Sequence, residues 1–145
     1  MRYALFVCTG NTCRSPMAAC LFNSLCQKDG AALQALSAGT NAMSNMCASD
    51  GARRAMARRG LSLEAHLSRQ VNPQLMRDAD VVICVGPRQR ELLRAYYPWA
   101  ADKLRCFDPP IPDPYGGNDA LYEQTAAEME PQIAALYHLM AAQSE

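Results

Sequence analysis

The segment Val81-Val82-Ile83-Cys84-Val85 restricts the possible folds of this 145-residue chain more than any other. It is continuously apolar and mostly β-branched, which is typical of a strand covered on both faces. Stretches of helical composition flank it, at Pro73–Asp78 and Pro87–Tyr96. A buried strand between two helices predicts a parallel sheet with helices packed on both sides.

The remaining segments extend the same pattern along the chain. Further strands are predicted at Tyr3–Val7, Leu33–Ala38 and Leu104–Phe107, and further helices at Met17–Gln27, Ser49–Arg59 and Ala120–Met140. The fold class is therefore α/β, with a single domain over residues 1–145 and an open parallel sheet of about four strands that has helices on both faces. Ligands of such sheets bind at the carboxyl ends of the strands.

Charge and cysteine usage exclude several classes of protein. The net charge is +0 and the pI is about 6.7, which favours neither nucleic acid nor an anionic membrane as a partner. The apolar run Tyr3–Val7 is too short for a secretion signal or a membrane span. The seven cysteines include no Cys-x-x-Cys pair, and neither His66 nor His138 lies at metal-ligand spacing from them. We therefore expect a cytoplasmic protein without a disulfide framework or a metal site.

The loop after the first predicted strand carries the chemistry. It reads Cys8-Thr9-Gly10-Asn11-Thr12-Cys13-Arg14-Ser15, and Pro16 then opens a helix. Gly10 gives backbone freedom, so successive amide N–H groups and the helix N-terminus can converge on one anion. The guanidinium of Arg14 can bind two phosphate oxygens, and the same positive surroundings favour a thiolate at Cys8. The loop predicts a nucleophile inside a phosphate-binding site.

Several motifs in this order resemble the low-molecular-weight protein tyrosine phosphatase family, which includes a bacterial protein-arginine-phosphatase branch. Besides the loop, they are Ser37-Ala38-Gly39-Thr40, His66, Arg69-Gln70, Ala79-Asp80 and Asp113-Pro114-Tyr115-Gly116. The resemblance covers nearly the whole chain. It implies a phosphotyrosine protein phosphatase I-like fold, a phosphorylated protein as substrate, and hydrolysis through a cysteinyl-phosphate with no cofactor.

The resemblance also implies a set of site residues. The catalytic residues are Cys8, Arg14 and the general acid Asp113. Asp108-Pro109 offers the same local chemistry, but the aromatic residue and the glycine after Asp113-Pro114 favour Asp113. Phosphate binding is implied for Thr9, Gly10, Asn11, Thr12, Cys13, Arg14 and Ser15. The hydrogen bonds that hold the loop are implied for Asn11, Ser15, Ser37 and His66. The substrate pocket is implied for Thr12, Met43 and Tyr115.

Phosphotyrosine is the expected substrate, and phosphoarginine is the alternative. Tyrosine-directed members commonly carry an aliphatic residue where Thr12 stands, whereas the arginine-directed branch carries threonine. Two other readings are less favoured. An arsenate reductase of this fold needs relay cysteines after the central strand, where only Cys84 lies, and a non-catalytic phosphate-binding module would lack the nucleophile or the acid.

Two further features allow more than one interpretation. Cys13 lies five residues after Cys8, so a reversible disulfide between them could protect the nucleophile, or Cys13 could simply be packed at the helix entrance. The pairs Arg53-Arg54 and Arg58-Arg59 recur at helical spacing and indicate a solvated helix face, with a docking role for acidic partners as the alternative.

Overall fold

A computed structural model describes residues 1–143, so the last two residues of the predicted domain lie outside the described residues. Its centre is a four-stranded sheet in the order β2-β1-β3-β4, and all neighbouring strands are parallel. The strands are β1 (Arg2–Cys8), β2 (Leu33–Gly39), β3 (Val81–Cys84) and β4 (Leu104–Cys106). The predicted fold class and each predicted strand are confirmed, with strand ends that differ by at most one residue.

Residues 1–143 contain five α-helices, of which four lie between strands and the fifth follows β4. They are α1 (Arg14–Asp29), α2 (Asp50–Ala57), α3 (Pro73–Asp78), α4 (Pro87–Tyr96) and α5 (Asp119–Ala142). A 3₁₀ helix at Pro98–Lys103, which the sequence pattern did not predict, leads into β4. None of the helices in the described part of the chain is long and apolar enough to cross a membrane.

Alternating side chains of the strands build two separate cores. On one face, Phe6 of β1 packs with Phe22 of α1 and Phe107, and α5 closes this side with Tyr137. On the other face, Leu5 and Val7 of β1 pack with Val82 of β3, beneath α3 and α4. Every residue of β3 is buried, as its continuously apolar sequence predicts.

The helices begin where side chains can satisfy their free N–H groups. The side-chain oxygens of Ser49, Asn72 and Asn118 accept hydrogen bonds from backbone N–H groups in the first turns of α2, α3 and α5. Helix α1 ends at Gly30, which has a left-handed φ of 64°. These local signals set where the helices between the strands begin and end. Because those helices connect parallel strands, the carboxyl ends of β1, β2 and β3 lie at one edge of the sheet.

Candidate active site

The loop between β1 and α1 curls so that its amide N–H groups remain free. Asn11 has a left-handed φ of 58°, which reverses the chain, and its N–H lies 3.3 Å from the Sγ of Cys8. The N–H groups of Gly10, Thr12, Cys13 and Arg14 donate to no acceptor among residues 1–143. Unpaired donors converging beside a helix N-terminus are the features of an anion-binding loop.

Cys8 is the last residue of β1, and its side chain lies within this loop. The residue is 2% exposed, and its Sγ lies 2.9 Å from the Oγ of Ser15. Ser15 Oγ also accepts a hydrogen bond from the Nδ2 of Asn11 at 2.8 Å. The only proton of the Ser15 hydroxyl is therefore available to the sulfur, because its other possible acceptor, the carbonyl of Ala38, is more distant at 3.4 Å.

Arg14 is the first residue of α1 and is buried. Its Nη1 donates to the carbonyl of Ile111 at 2.9 Å, and its Nη2 lies 3.8 Å from a carboxylate oxygen of Asp113. Its Nε is buried and has no hydrogen-bond partner among the residues described. Buried polar atoms are rarely left unpaired, so this nitrogen indicates a place for a bound anion.

Asp113 approaches the loop from the segment before α5. Its side chain is 55% exposed, and Oδ1 accepts the backbone N–H of Tyr115 at 3.1 Å. Asp113 lines the same cavity as Cys8, whereas Asp108 does not. The backbone N–H of Asp108 instead bonds the side chain of Gln132. The fold thus places the predicted acid Asp113, and not Asp108, in one cavity with the predicted nucleophile Cys8.

The cavity at the loop has a volume of about 220 Å³. Tyr115 stands at its edge with 75% of its surface exposed. Met43 does not line this cavity and is 73% exposed. The lining residues are Cys8, Thr9, Gly10, Thr12, Cys13, Arg14, Asp113 and Tyr115.

Hydrogen bonds from two other segments, β2 and the connection between α2 and α3, hold the loop at Asn11. Its Nδ2 donates to Ser37 Oγ at 3.0 Å, and its Oδ1 accepts the backbone N–H of Arg69 at 3.0 Å. Its carbonyl lies 2.7 Å from the Nε2 of His66, which must carry the proton because a carbonyl only accepts. Burial lowers the pKa of His66; the hydrogen bond to the Asn11 carbonyl opposes this effect and the positive charge of Arg69 adds to it, so the net direction is downward and the neutral imidazole is favoured.

Two residues that support the loop were not predicted from the sequence. A Cβ on Gly39 would lie 2.4 Å from the carbonyl oxygen of Thr9, so only glycine allows this approach of β2 to the loop. The buried Gln89 of α4 donates from Nε2 to the Oγ1 of Thr9 at 3.0 Å. Gly39 stands in a motif that could have identified it, whereas nothing distinguishes Gln89 from the other polar residues of α4.

The thiol of Cys13 is bound by residues outside the loop. Its thiol donates to Ser49 Oγ at 3.2 Å and lies 3.4 Å from the hydroxyl of Tyr122. All seven cysteines are free. Within residues 1–143, no group of three His, Cys, Asp or Glu side chains is placed to hold a metal ion.

Comparison with known proteins agrees with this geometry. The Protein-arginine-phosphatase of Bacillus subtilis (strain 168) is 32% identical over 139 residues, which cover 91% of this chain and 92% of that protein. The low molecular weight protein-tyrosine-phosphatase Ptp of Acinetobacter johnsonii is 29% identical over 134 residues, covering 90% and 92% of the two chains.

Solved structures show the same likeness. The crystal structure of a low molecular weight protein tyrosine phosphatase from T. tengcongensis superposes with a TM-score of 0.92 at 32% identity, and covers 95% of this chain and 99% of that one. The family model described as low molecular weight phosphotyrosine protein phosphatase matches residues 4–145. The chain belongs to that family, whose members are hydrolases.

Proposed function

We propose that the protein is a phosphatase that hydrolyses phosphotyrosine in proteins through a cysteinyl-phosphate intermediate. The observation that carries this proposal is the cavity in which the Sγ of Cys8 lies beside unpaired loop N–H groups, the unpartnered Nε of Arg14 and the carboxylate of Asp113. Nucleophile, anion-binding groups and acid thus surround a single space. The reaction built from these groups uses no metal ion or cofactor.

In the first step, the thiolate of Cys8 attacks phosphorus. The S–P bond forms as the P–O bond to the tyrosine breaks, and protonated Asp113 gives its proton to the leaving oxygen. A phenol has a pKa of about 10, so expulsion of the unprotonated phenolate near neutral pH is costly. The free loop N–H groups and Arg14 stabilise the charge on the three equatorial oxygens.

In the second step, water attacks the phosphorus of the cysteinyl-phosphate. The carboxylate of Asp113 accepts a proton from this water, the S–P bond breaks, and phosphate leaves. The Ser15 hydroxyl, 2.9 Å from Sγ, donates a hydrogen bond to the departing thiolate. Asn11, Ser37 and His66 act by holding the shape of the loop.

A second substrate, phosphoarginine, is favoured by the polarity of the cavity. Thr9 and Thr12 line it, and each carries a hydroxyl; that of Thr9 already accepts a hydrogen bond from Gln89, whereas Thr12 has no such bond from α4. Hydroxyls can accept hydrogen bonds from a guanidinium, whereas a phenyl ring has no N–H group to donate to them. A relative with 32% identity is named Protein-arginine-phosphatase. Tyr115 can stack on either leaving group.

The experiment that tests both substrates compares phosphotyrosine and phosphoarginine peptides of the same sequence. We expect Cys8→Ser to abolish turnover of both, and Asp113→Asn to lower kcat by about 10²- to 10⁴-fold, the usual size of a general-acid contribution. Thr12→Ile should shift the ratio of the two kcat/KM values toward phosphotyrosine. Activity that survives Cys8→Ser contradicts the mechanism, and an unchanged ratio excludes Thr12 as the selector.

The same measurements separate the two less favoured functions. A non-catalytic binding module would show no turnover in the wild type. An arsenate reductase would need a reactive relay thiol after β3, whereas Cys84 is the last residue of that strand and its burial raises its pKa to about 12. A thiol that stays protonated is a poor nucleophile, so this residue does not suit a relay.

We also propose a redox role for Cys8 and Cys13. Peroxide would oxidise the Cys8 thiolate to a sulfenic acid, and the Cys13 thiolate would then attack that sulfur, forming the disulfide and releasing hydroxide. Cys13 must first leave Ser49 and Tyr122 for this to occur. Mass analysis after peroxide treatment should detect a Cys8–Cys13 link, and exclusive sulfonic acid at Cys8 contradicts the switch.

The wider setting follows from the same chemistry. The partner is a phosphorylated protein, and neither nucleic acid nor a membrane is required. Seven free cysteines suit a reducing compartment, which supports the cytoplasm as the location.

A further inference from the structure

A groove runs between α4 and the segments that follow β2 and precede α3. We call it the α4 groove; its volume is about 280 Å³, and it is lined by Thr40, Gln70, Val71, Leu92, Leu93, Tyr96 and Tyr97. The side chain of Gln70 makes one wall firm, because its Nε2 donates to the carbonyl of Thr40 at 2.9 Å and its Oε1 accepts the N–H of Ala42 at 2.9 Å. The groove is therefore built into the fold.

Large apolar side chains stand exposed at this groove. Leu92 is 39% exposed and Tyr96 is 73% exposed, and Trp99, just beyond the end of α4, is 54% exposed. Isolated apolar residues on a surface need no explanation, but a contiguous patch beside a groove is typical of a binding surface. Aromatic residues are the ones most enriched at such surfaces.

The α4 groove adjoins the catalytic loop. The N–H of Thr40 donates to the carbonyl of Cys8 at 2.9 Å, so one wall of the groove bonds directly to the nucleophile's peptide. At the start of α4, Gln89 bonds to Thr9. A peptide whose phosphorylated residue occupies the cavity can therefore continue along α4.

The charge of α4 indicates what kind of peptide fits. Arg88 lies in the first turn of α4 on the same stripe as Leu92 and Tyr96, at intervals of four residues. It is exposed and makes no ion pair within the described residues. A cation in the first turn is disfavoured by the helix dipole, so helix stability does not account for Arg88.

We propose that the α4 groove docks the segment that flanks the phosphorylated residue of a substrate protein, with an acidic side chain against Arg88 and a leucine or aromatic side chain in the groove. The rise of the helix places Leu92 and Tyr96 about 6 and 12 Å from Arg88. An extended chain covers that distance in about two to four residues. This docking role rests on the proposed phosphatase activity and adds a substrate class to it.

The test uses two phosphopeptides and one small aryl phosphate. One peptide carries a glutamate beside the phosphorylated residue and a leucine three residues further along, and the other has lysine and serine in their place. The variants are Arg88→Glu and Leu92→Ser. Their matched controls are Arg105→Glu on β4 and Leu139→Ser on α5, which replace exposed residues outside the groove.

We expect each groove variant to raise KM for the acidic peptide about tenfold and to leave turnover of the aryl phosphate unchanged. The control variants should change neither. Arg88→Glu should also bring the KM values of the two peptides closer together, because the lysine peptide then regains the charge pair in reverse while still lacking the leucine. Since glutamate suits the first turn of a helix, this variant should fold normally.

Three outcomes would overturn the docking role. The first is equal KM values for the two peptides in the wild type. The second is a groove variant that loses as much activity on the aryl phosphate as on the acidic peptide. The third is a wild-type dimer in sedimentation that Leu92→Ser dissociates, since a second copy would then occupy the groove. A wild type inactive on the aryl phosphate would instead contradict the proposed phosphatase activity.

Discussion

Asn11 illustrates how one side chain can fix the shape of the catalytic loop. Its left-handed backbone is one that asparagine tolerates better than most residues. Both protons of its amide nitrogen are used, one on Ser15 and one on Ser37, and the amide oxygen accepts from Arg69. The side chain thus ties the loop to α1, β2 and the segment before α3.

Gly39 gives the sharpest prediction for a single residue. In Gly39→Ala the new methyl group would lie 2.4 Å from Thr9 O and 3.1 Å from Asn11 N, so the loop must move. We expect a loss of about 1–3 kcal/mol in the free energy of unfolding and a fall of about ten- to a hundredfold in kcat/KM. Chemical denaturation and steady-state kinetics measure the two effects.

Gly60→Ala is the matched control for this substitution. Gly60 also disfavours a side chain, because its φ is +74°, but open space surrounds its missing Cβ. We expect the Gly60→Ala variant to be less stable than the wild type but to keep the wild-type kcat/KM. If Gly39→Ala behaved in the same way, the close approach of β2 to the loop would not matter for catalysis.

His66 predicts a dependence of stability on pH. Its pKa is lowered in the folded protein, chiefly by burial, so below about pH 6.5 the unfolded chain binds the proton more readily. The stability that neutral His66 contributes to the folded protein is complete above that pH, and it is lost as the pH falls toward the folded-state pKa of His66. Between about pH 7.5 and 5.5, Tm should therefore fall more for the wild type than for His66→Gln.

Thermal unfolding at the two pH values measures this difference. His138→Gln, at an exposed position on α5, is the matched control. Equal falls in Tm for the wild type and His66→Gln would contradict the burial of a neutral imidazole.

Ion pairs between α2 and α5 explain the repeated arginines in α2 and just after its last residue. Arg54 and Arg58 bind Asp119, Arg58 and Arg59 bind Glu123, and Arg59 also binds Glu130. Arg53 binds Asp50 and approaches Glu64 at 3.9 Å. These arginines have partners within the chain, which favours a structural role over docking of an acidic protein.

Glu123 is the point at which this network can be tested. Burial alone would raise its pKa, but hydrogen bonds from Arg58 and Arg59 outweigh that effect and lower it. Because the groups are largely exposed, we expect Glu123→Gln to cost about 0.2–1 kcal/mol, and less at high salt. Urea unfolding at low and high salt measures this.

Glu128→Gln on the exposed side of α5 is the control, because Glu128 accepts a hydrogen bond from Gln124 and forms no ion pair within residues 1–143. Its effect should be smaller and should not depend on salt. A salt-independent loss in Glu123→Gln would indicate that packing, and not charge, joins the two helices.

Binding of phosphate should stabilise the whole molecule. An anion that binds only the folded state raises the free energy of unfolding by about 2.7 kcal/mol at 100 times its dissociation constant. We expect inorganic phosphate to raise Tm of the wild type by several degrees, and Arg14→Lys to respond less because an ammonium cannot bind two oxygens at once. Scans in chloride at equal ionic strength provide the reference, and equal shifts in the two proteins would contradict the role of Arg14.

Much of the molecule was determined by the sequence alone. The apolar run at β3 and the loop from Cys8 to Ser15 are local signals, because each depends on the residues of one segment. They were sufficient for the fold class and for the choice of Cys8 and Arg14 as candidates, whereas Asp113 was chosen through the resemblance of its motif to the family. Strand ends shifted by one residue at most and helix ends by up to three, at the start of α1, since the hydrogen bonds that end an element depend on its neighbours.

Only the tertiary structure decided which distant residues meet the loop. The contact of Gln89 with Thr9, the approach of Gly39 and the ion pairs between α2 and α5 join positions far apart in sequence. No local pattern marks them, because they result from how the helices pack on the sheet. The α4 groove depends on the same packing. Its aromatic residues could be assigned to a groove only once the fold placed Thr40 and Gln70 opposite them.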